Sequence, residues 1–359
     1  MKRLAIVHGT DREYIREVLS FFQLRELRRG GDREFIAVAW GPGEKDRRAW
    51  SLNDRFEIEE VISDPPPLFQ EAVILSLPAF AERSLHRKIA SWLQRRSVTL
   101  FNPYSSSRKA GNKHWTIRRL AAEDIPVPES LLLGKSDHSR IIRRLNGFLA
   151  RHDASGFYVQ PNEGTEGREA YFFSAAEFRR SPDFAAEIVS GILRDREVIV
   201  KNARGNVFYY RREEDERGYR PVTFRVFLWR PEDEVEADSG FAEISASQND
   251  PLTSPEKGGR IVAPSEAMAN LYHRETSGFR RLVLTGEEAG SLPAAAERAL
   301  AAFNSGLRQK LRIAGVDLLL EVTDGKVRPV VLEINPRPSG LDKLAPWGQR
   351  AAAGGRSDH

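Results

Sequence analysis

Glu333 and Asn335 stand two residues apart in the run Leu332-Glu-Ile-Asn-Pro-Arg-Pro-Ser-Gly340. In a strand that spacing sends both side chains to one face, about 7 Å apart along the backbone. A carboxylate and an amide carbonyl so placed can share one hard cation. Mg²⁺ takes oxygen ligands of this kind while keeping its waters and the phosphates of a nucleotide. Pro336 and Pro338 stop the strand and leave Arg337 at its end, a fixed donor fork for a carboxylate or phosphate.

The element that must position these residues is a hairpin. Ala314 to Val322 forms an upstream strand carrying Asp317 and Glu321, Asp324-Gly325 supplies a turn, and Val327 to Ile334 forms the return strand. A two-residue Asp-Gly loop with regular pairing sets Asp317 opposite Leu332, on the wrong face from Glu333. A three-residue turn over Asp324 to Lys326, or a bulge, pairs Asp317 with Glu333, because a one-residue slip flips every side chain. Glu321 has the same parity and is the fallback. An acid among Val and Leu is costly without a partner, which favours a site.

Five further stretches precede the hairpin. Residues 102–130 place Lys113 at the start of a helix with Asn112 as N-cap, an apolar stripe of Trp115, Ile117 and Leu120, and a stop at Pro126 and Pro128. Residues 156–173 are two short strands around a loop containing Gly164 and Gly167, whose backbone N–H groups can reach phosphate oxygens. Gln160 flanks it, and Glu163, Glu166 and Glu169 put negative charge beside it, opposed only by Arg168. Glu197 to Asn202 is a strand ending in Lys201-Asn202, and Pro221 to Trp229 an alternating strand with Arg225 on the face opposite Phe224 and Val226. Ser247 to Ile261 is a polar loop containing Asn249, Gly258 and Gly259.

In this order the stretches resemble the ATP-grasp superfamily over roughly residues 100–345, most closely its glutathione-synthetase-like and spore-coat-associated branches. The Asn-Pro-Arg run is similar to the carboxylase and carbamoyl-phosphate branch. The resemblance implies an α/β ATP-grasp fold: a pre-ATP-grasp domain over 1–103, a nucleotide-covering subdomain over 104–203, a metal-bearing subdomain over 204–347, and a flexible tail over 348–359. It implies ATP and Mg²⁺ (or Mn²⁺) as cofactors, with Asp317, Glu333 and Asn335 as metal ligands. Lys113, Gln160, Gly164, Gly167, Arg168 and Lys201 fall at the nucleotide, and Arg225 and Arg337 in catalytic positions. The implied reaction joins a carboxylate to an amine through an acyl phosphate, with an amino acid or peptide as substrate. The chain departs from the pattern at Gln160, where most members carry Lys, at Glu169, where a second Gly is usual, at Lys201, and at Thr223 in place of Asp. These departures suggest the alternative of a catalytically weak nucleotide-binding or scaffold protein. If Gln160 replaces a lysine, Lys201 or Arg168 is the compensating cation.

Composition is compatible with such an enzyme. The 359 residues contain no Cys, which removes disulfides, zinc-thiolate sites and thiol nucleophiles. No apolar stretch nears the roughly 18 residues of a membrane span, and the N-terminus lacks a signal-peptide pattern, so a cytoplasmic location is expected. The net charge of +4 comes from intermixed acids and bases rather than a basic stripe, which argues against nucleic acid as partner. A homodimer is left open. The first hundred residues alternate strand and helix, with strands at Leu4–Val7, Phe35–Trp40 and Ala72–Leu75 and helices over 11–27 and 84–95. That alternation predicts a small parallel sheet.

Overall fold

The computed structural model describes residues 2–8, 12–40, 47–53, 55–61, 69–75, 82–152, 154–164, 169–230, 235–248, 252–253 and 255–347. Its first unit is a six-stranded sheet ordered β4-β3-β2-β1-β5-β6. The strands are β1 (Lys2–His8), β2 (Arg33–Trp40), β3 (Arg47–Leu52), β4 (Ile58–Val61), β5 (Glu71–Ile74) and β6 (Thr99–Phe101). β1, β2, β5 and β6 run parallel, as the strand–helix alternation predicts. β3 and β4 add an antiparallel ribbon at one edge. Its sequence, Arg-Arg-Ala-Trp-Ser-Leu then Ile-Glu-Glu-Val, lacks the continuous apolar run of the buried strands, so it escapes a reading based on hydrophobic runs. Successive residues of β1 feed opposite faces. Leu4 and Ile6 pack under α1 (Arg12–Arg28), while Ala5 and Val7 pack under α2 (Glu82–Arg95).

The α1 face also packs Phe227, Trp229 and Ile313 of the large sheet. Trp229 is 1% exposed and meets Phe22 and Phe101 edge-on, with ring centroids 5.1 and 5.4 Å away. Burying one such side chain contributes about 2–3 kcal/mol. Arg25 of α1 donates to Glu236 at 3.0 Å and Ser239 at 2.9 Å and pairs with Asp238. The N-terminal unit is thus bonded to the sheet that carries the candidate site.

Asn102 marks the passage to that sheet. It takes a positive φ of 71°, which Asn tolerates better than most residues, and its amide is 2% exposed. Its Oδ1 accepts from Arg312 N (2.8 Å) and Ile313 N (3.0 Å), while Nδ2 donates to Ile313 O (2.6 Å) and to Pro336 O. One side chain therefore pins the start of the upstream hairpin strand to the end of the return strand. Helices α3 (Tyr104–Gly111) and α4 (Lys113–Ala121) follow, and Ala110 and Leu120 join the core of the large sheet.

A second sheet, β7-β10-β8-β9, is antiparallel: β7 (Ser130–Leu133), β8 (Gly156–Pro161), β9 (Tyr171–Ser174) and β10 (Val198–Asn202). Leu133, Phe157, Val159, Val198 and Val200 pack on one face with residues of α5 (His138–His152), α6 (Ala175–Arg180) and α7 (Pro182–Leu193). By alternation, Tyr158, Gln160, Ile199 and Lys201 point from the other face.

The large nine-stranded sheet comprises β11 (Val207–Tyr209), β12 (Arg220–Trp229), β13 (Glu236–Ile244), β14 (Arg260–Val262), β15 (Leu271–Glu275), β16 (Gly278–Leu282), β17 (Ile313–Thr323), β18 (Lys326–Asn335) and β19 (Ala345–Pro346). Around the site its strands lie in the order β18-β17-β12-β13. Val222, Phe224 and Val226 face a core shared with α8 (Pro264–Ala269) and α9 (Gly286–Asn304), so Thr223 and Arg225 face the opposite way. The tail 348–359, and with it any expectation of flexibility there, lies outside the described residues.

Candidate active site

The hairpin resolves the register question through a bulge. Thr323 pairs with Lys326 across Asp324 and Gly325, both at positive φ (51° and 73°), a two-residue turn of the kind that suits Asp-Gly. Pairing is regular to Leu318↔Val331, then skips Leu332 and resumes at Asp317↔Glu333. The unpaired Leu332 supplies the one-residue shift that a short turn alone cannot, and brings the two acids face to face.

Asn335 Nδ2 donates to Asp317 Oδ2 at 2.8 Å, so Asp317, Glu333 and Asn335 converge as expected. Arg225 lies beside Asp317 in register on β12 and donates from Nε to Oδ1 (2.6 Å) and from Nη2 to Oδ2 (2.9 Å). Gly315 makes room for it. A Cβ there would stand 3.2 Å from Arg225 Cδ and 3.0 Å from Pro338 Cβ. Burial alone would lower the Arg225 pKa, but the charge and hydrogen bonds of Asp317, with Glu243 and Glu333, hold it above the ordinary arginine value.

Lys113 enters from the N-terminus of α4. Asn112 caps that helix through Oδ1, which accepts from Trp115 N at 2.9 Å. Lys113 Nζ donates to Gly164 O at 2.6 Å and lies 3.8 Å from Glu333 Oε1. Lys113 and Arg225 thus reach the same pair of acids. Asn162, 1% exposed, locks the helix to the loop after β8: its O accepts from Lys113 N (3.0 Å) and its Oδ1 from His114 N (2.9 Å).

Lys201 completes the cation set. It is 9% exposed, and burial pushes its pKa down to about 8, opposed by Glu333 and Asp317 and reinforced by the nearby Lys113. Gln160 stands on the same sheet face as Lys201, and its Nε2 is buried without a hydrogen-bond acceptor. Arg337 follows β18 two residues after Asn335, and burial lowers its pKa to about 10. Gly167 and Arg168 lie outside the described residues.

Two expectations need correction. Glu321 is no reserve ligand. It accepts from Arg204 through both oxygens and from Gly205 N at 2.9 Å, and so fastens the link between the small and large sheets to β17. Glu169 is not opposed only by Arg168, because Arg196 holds it from a residue just before β10. Sequence reasoning missed Asn102, Asn162 and Glu243. Glu243 sits on β13 opposite Thr223, on the Arg225 face, with Oε1 3.9 Å from Arg225 Nη1. Burial pushes its carboxyl up to about 7, with Arg225 opposing and Asp317 adding. Its signal was available: a lone acid in the apolar run Gly-Phe-Ala-Glu-Ile, the same cue that marked Asp317.

The donors are all oxygens, as Mg²⁺ requires. Among the described residues no three His, Cys, Asp or Glu side chains gather as a cation site, so the set depends on the Asn335 amide. Arg225, Lys113 and Lys201 balance Asp317 and Glu333, whose charge a divalent cation could take over while the three basic side chains faced a polyphosphate. The residues fit a Mg²⁺–nucleotide, provided Arg225 turns from Asp317 toward the phosphates.

No sequence-family model matches the chain, and no curated protein matches it by sequence. Solved structures match along nearly its whole length. The D-cycloserine synthetase DcsG is 20% identical, with a TM-score of 0.56 over 94% of this chain and 93% of that one. The D-alanyl-alanine synthetase A of Vibrio cholerae is 14% identical, at 0.54 over 94% and 89%. The ATP-grasp ligase PsnB, solved with a precursor variant, Mg and ADP, is 15% identical, at 0.50 over 94% and 90%. At these identities the likeness defines the fold: the chain has the ATP-grasp fold.

Proposed function

We propose that the protein is an ATP- and Mg²⁺-dependent ligase that joins a carboxylate to an amine through an acyl phosphate and releases ADP. The observation that carries this reading is the meeting of Lys113, Lys201 and Arg225 with Asp317, Glu333 and Asn335 between the two sheets. Cations suited to a polyphosphate and oxygens suited to Mg²⁺ share one cleft. The structural neighbours named as ligases or synthetases support the same class.

In this reading Asp317, Glu333 and Asn335 hold Mg²⁺, which neutralises phosphate charge when bound. Lys113 and Lys201 bind the polyphosphate from two sides, and the backbone around Gly164 covers it. Arg225 leaves Asp317 to stabilise charge on the transferred phosphoryl group, and Arg337 orients the acceptor carboxylate. Such a reaction runs on positioning and electrostatics and needs no protein nucleophile. Lys201 restores the positive charge that Gln160 does not provide, which favours an active ligase over the weak nucleotide-binding alternative. An amino acid or short peptide is the proposed substrate class, and a soluble cytoplasmic setting the proposed location.

The test is ADP release with Mg²⁺ and ATP across the amino acids and a set of dipeptides, with Glu333→Gln as control. Substrate-dependent ADP that vanishes in the variant supports the reading. ATP binding without turnover for any acceptor would favour the scaffold alternative.

A further inference from the structure

The acids of the cleft do not all belong to the hairpin. Across the large sheet the order is Glu333 on β18, Asp317 on β17, Arg225 on β12 and Glu243 on β13. Arg225 therefore separates Glu243 from the metal-type donors, with two strand spacings, about 10 Å, between the strands of Asp317 and Glu243. Glu243 is backed by a hydroxyl pair. Thr253 Oγ1 lies 2.7 Å from Thr223 Oγ1 and 3.5 Å from Glu243 Oε2. The Glu243 side chain is 16% exposed, and among the described residues its ion-pair neighbour is Arg225 at 3.9 Å, beyond hydrogen-bond reach.

If Arg225 meets the transferred phosphoryl group, the acyl phosphate lies over β12, with nucleotide and metal on the β17 side. The nucleophile must approach the acyl carbon from the side away from them. We propose that Glu243 binds the incoming amine as its ammonium form and accepts its proton, making it a catalytic residue of the second half-reaction. This rests on the ligase reading above.

The step balances. One ammonium proton passes to Glu243, the freed lone pair attacks the acyl carbon, the C–N bond forms and the C–O bond to phosphate breaks. The second proton leaves with phosphate as hydrogenphosphate. A carboxyl near neutrality suits the exchange, because it takes the proton and returns it to water between turnovers. Neither Lys113 nor Lys201 can do this for an ammonium while holding phosphate.

The test compares Glu243→Gln with the native protein in two assays, each run with the amino acids as acyl donors. One uses amino acids as amine, and the other uses hydroxylamine, which is already unprotonated at neutral pH and needs no base. The expected result is a fall of about a hundredfold or more in amine-dependent product, with hydroxamate formation retained and a raised KM for the amine. Glu243→Asp should recover part of the amine rate. Equal loss in both assays, or no loss in either, would overturn the role of Glu243 while leaving the ligase reading intact. Absence of both products from the native protein would overturn both.

Discussion

Arg225 closes both oxygens of Asp317, through Nε at 2.6 Å and Nη2 at 2.9 Å, so the free protein carries its own counter-ion where a metal would bind. A divalent cation offered without nucleotide must displace this buried pair. Native protein should therefore bind Mn²⁺ weakly until ATP is added, whereas Arg225→Gln binds it without nucleotide. Electron paramagnetic resonance of free Mn²⁺ reads both. The variant should lose about 3–5 kcal/mol of stability in a denaturant melt, because among the described residues Asp317 keeps only the hydrogen bond from the Asn335 amide.

Lys201 should carry the charge that Gln160 does not. Lys201→Met is expected to weaken ATP binding by roughly 10–100-fold, the worth of one charge-assisted hydrogen bond. Gln160→Lys alone should gain little, yet should restore affinity in the Lys201→Met background. With its pKa near 8, Lys201 is part-deprotonated in mildly alkaline solution, and a bound polyphosphate favours its charged form. ATP binding should then take up protons, as titration calorimetry in buffers of different ionisation enthalpy reports. Uptake unchanged in Lys201→Met would assign the proton elsewhere.

Stability should fall as pH rises through the window set by Glu243. Its folded pKa, about 7, lies above the ordinary carboxyl value of 4.5, so the native state binds more protons than the unfolded state between those limits. This contribution is fully present below the unfolded value and is lost as pH climbs to 7. Glu243→Gln removes it, so the variant's melting temperature should gain on the native protein's between about pH 5 and 8. A constant difference across that range would show that Glu243 does not titrate there.

Asn102→Ala should destabilise by about 3 kcal/mol or more, since it orphans buried groups on both strands of the hairpin. Asn102→Asp keeps the acceptor to Arg312 N and Ile313 N but loses both donor bonds, and should also destabilise. Urea melts of the two variants check this.

Glu321→Gln should leave the Mg²⁺ dependence of turnover unchanged, whereas Glu333→Gln should shift it to higher Mg²⁺. A matching shift in both would return Glu321 to the metal site.

Much of this site was legible because strand parity is a local rule. Glu333-x-Asn335, Lys113 behind its Asn112 cap, and Arg225 opposite Phe224 and Val226 each follow from a period or a cap within a few residues. The pairing of Asp317 with Glu333 was legible only as a condition, because nothing in Val-Val-Leu announces which residue will be left out of the ladder. Asn102 was illegible for a different reason: its partners lie more than 200 residues away, and no local pattern encodes them. Lys201 was named through the resemblance, while the cue for Glu243, a lone acid in an apolar run, could be used only by knowing that β12 and β13 become neighbours. The antiparallel ribbon of β3 and β4 was missed because an edge strand needs no apolar run.

The skipped residue Leu332 makes the hairpin tolerant of loss and intolerant of gain. Deleting it would hand its place in the ladder to Glu333, so regular pairing from the same two-residue turn would still set Glu333 against Asp317 and Asn335 against Gly315. One more residue between Val331 and Glu333 has no such outlet, since the ladder would have to skip two residues or turn Glu333 and Asn335 away from Asp317. A deletion scan should therefore score Leu332 as dispensable, while an insertion beside it should be as damaging as loss of an acid. The active face is specified here by counting.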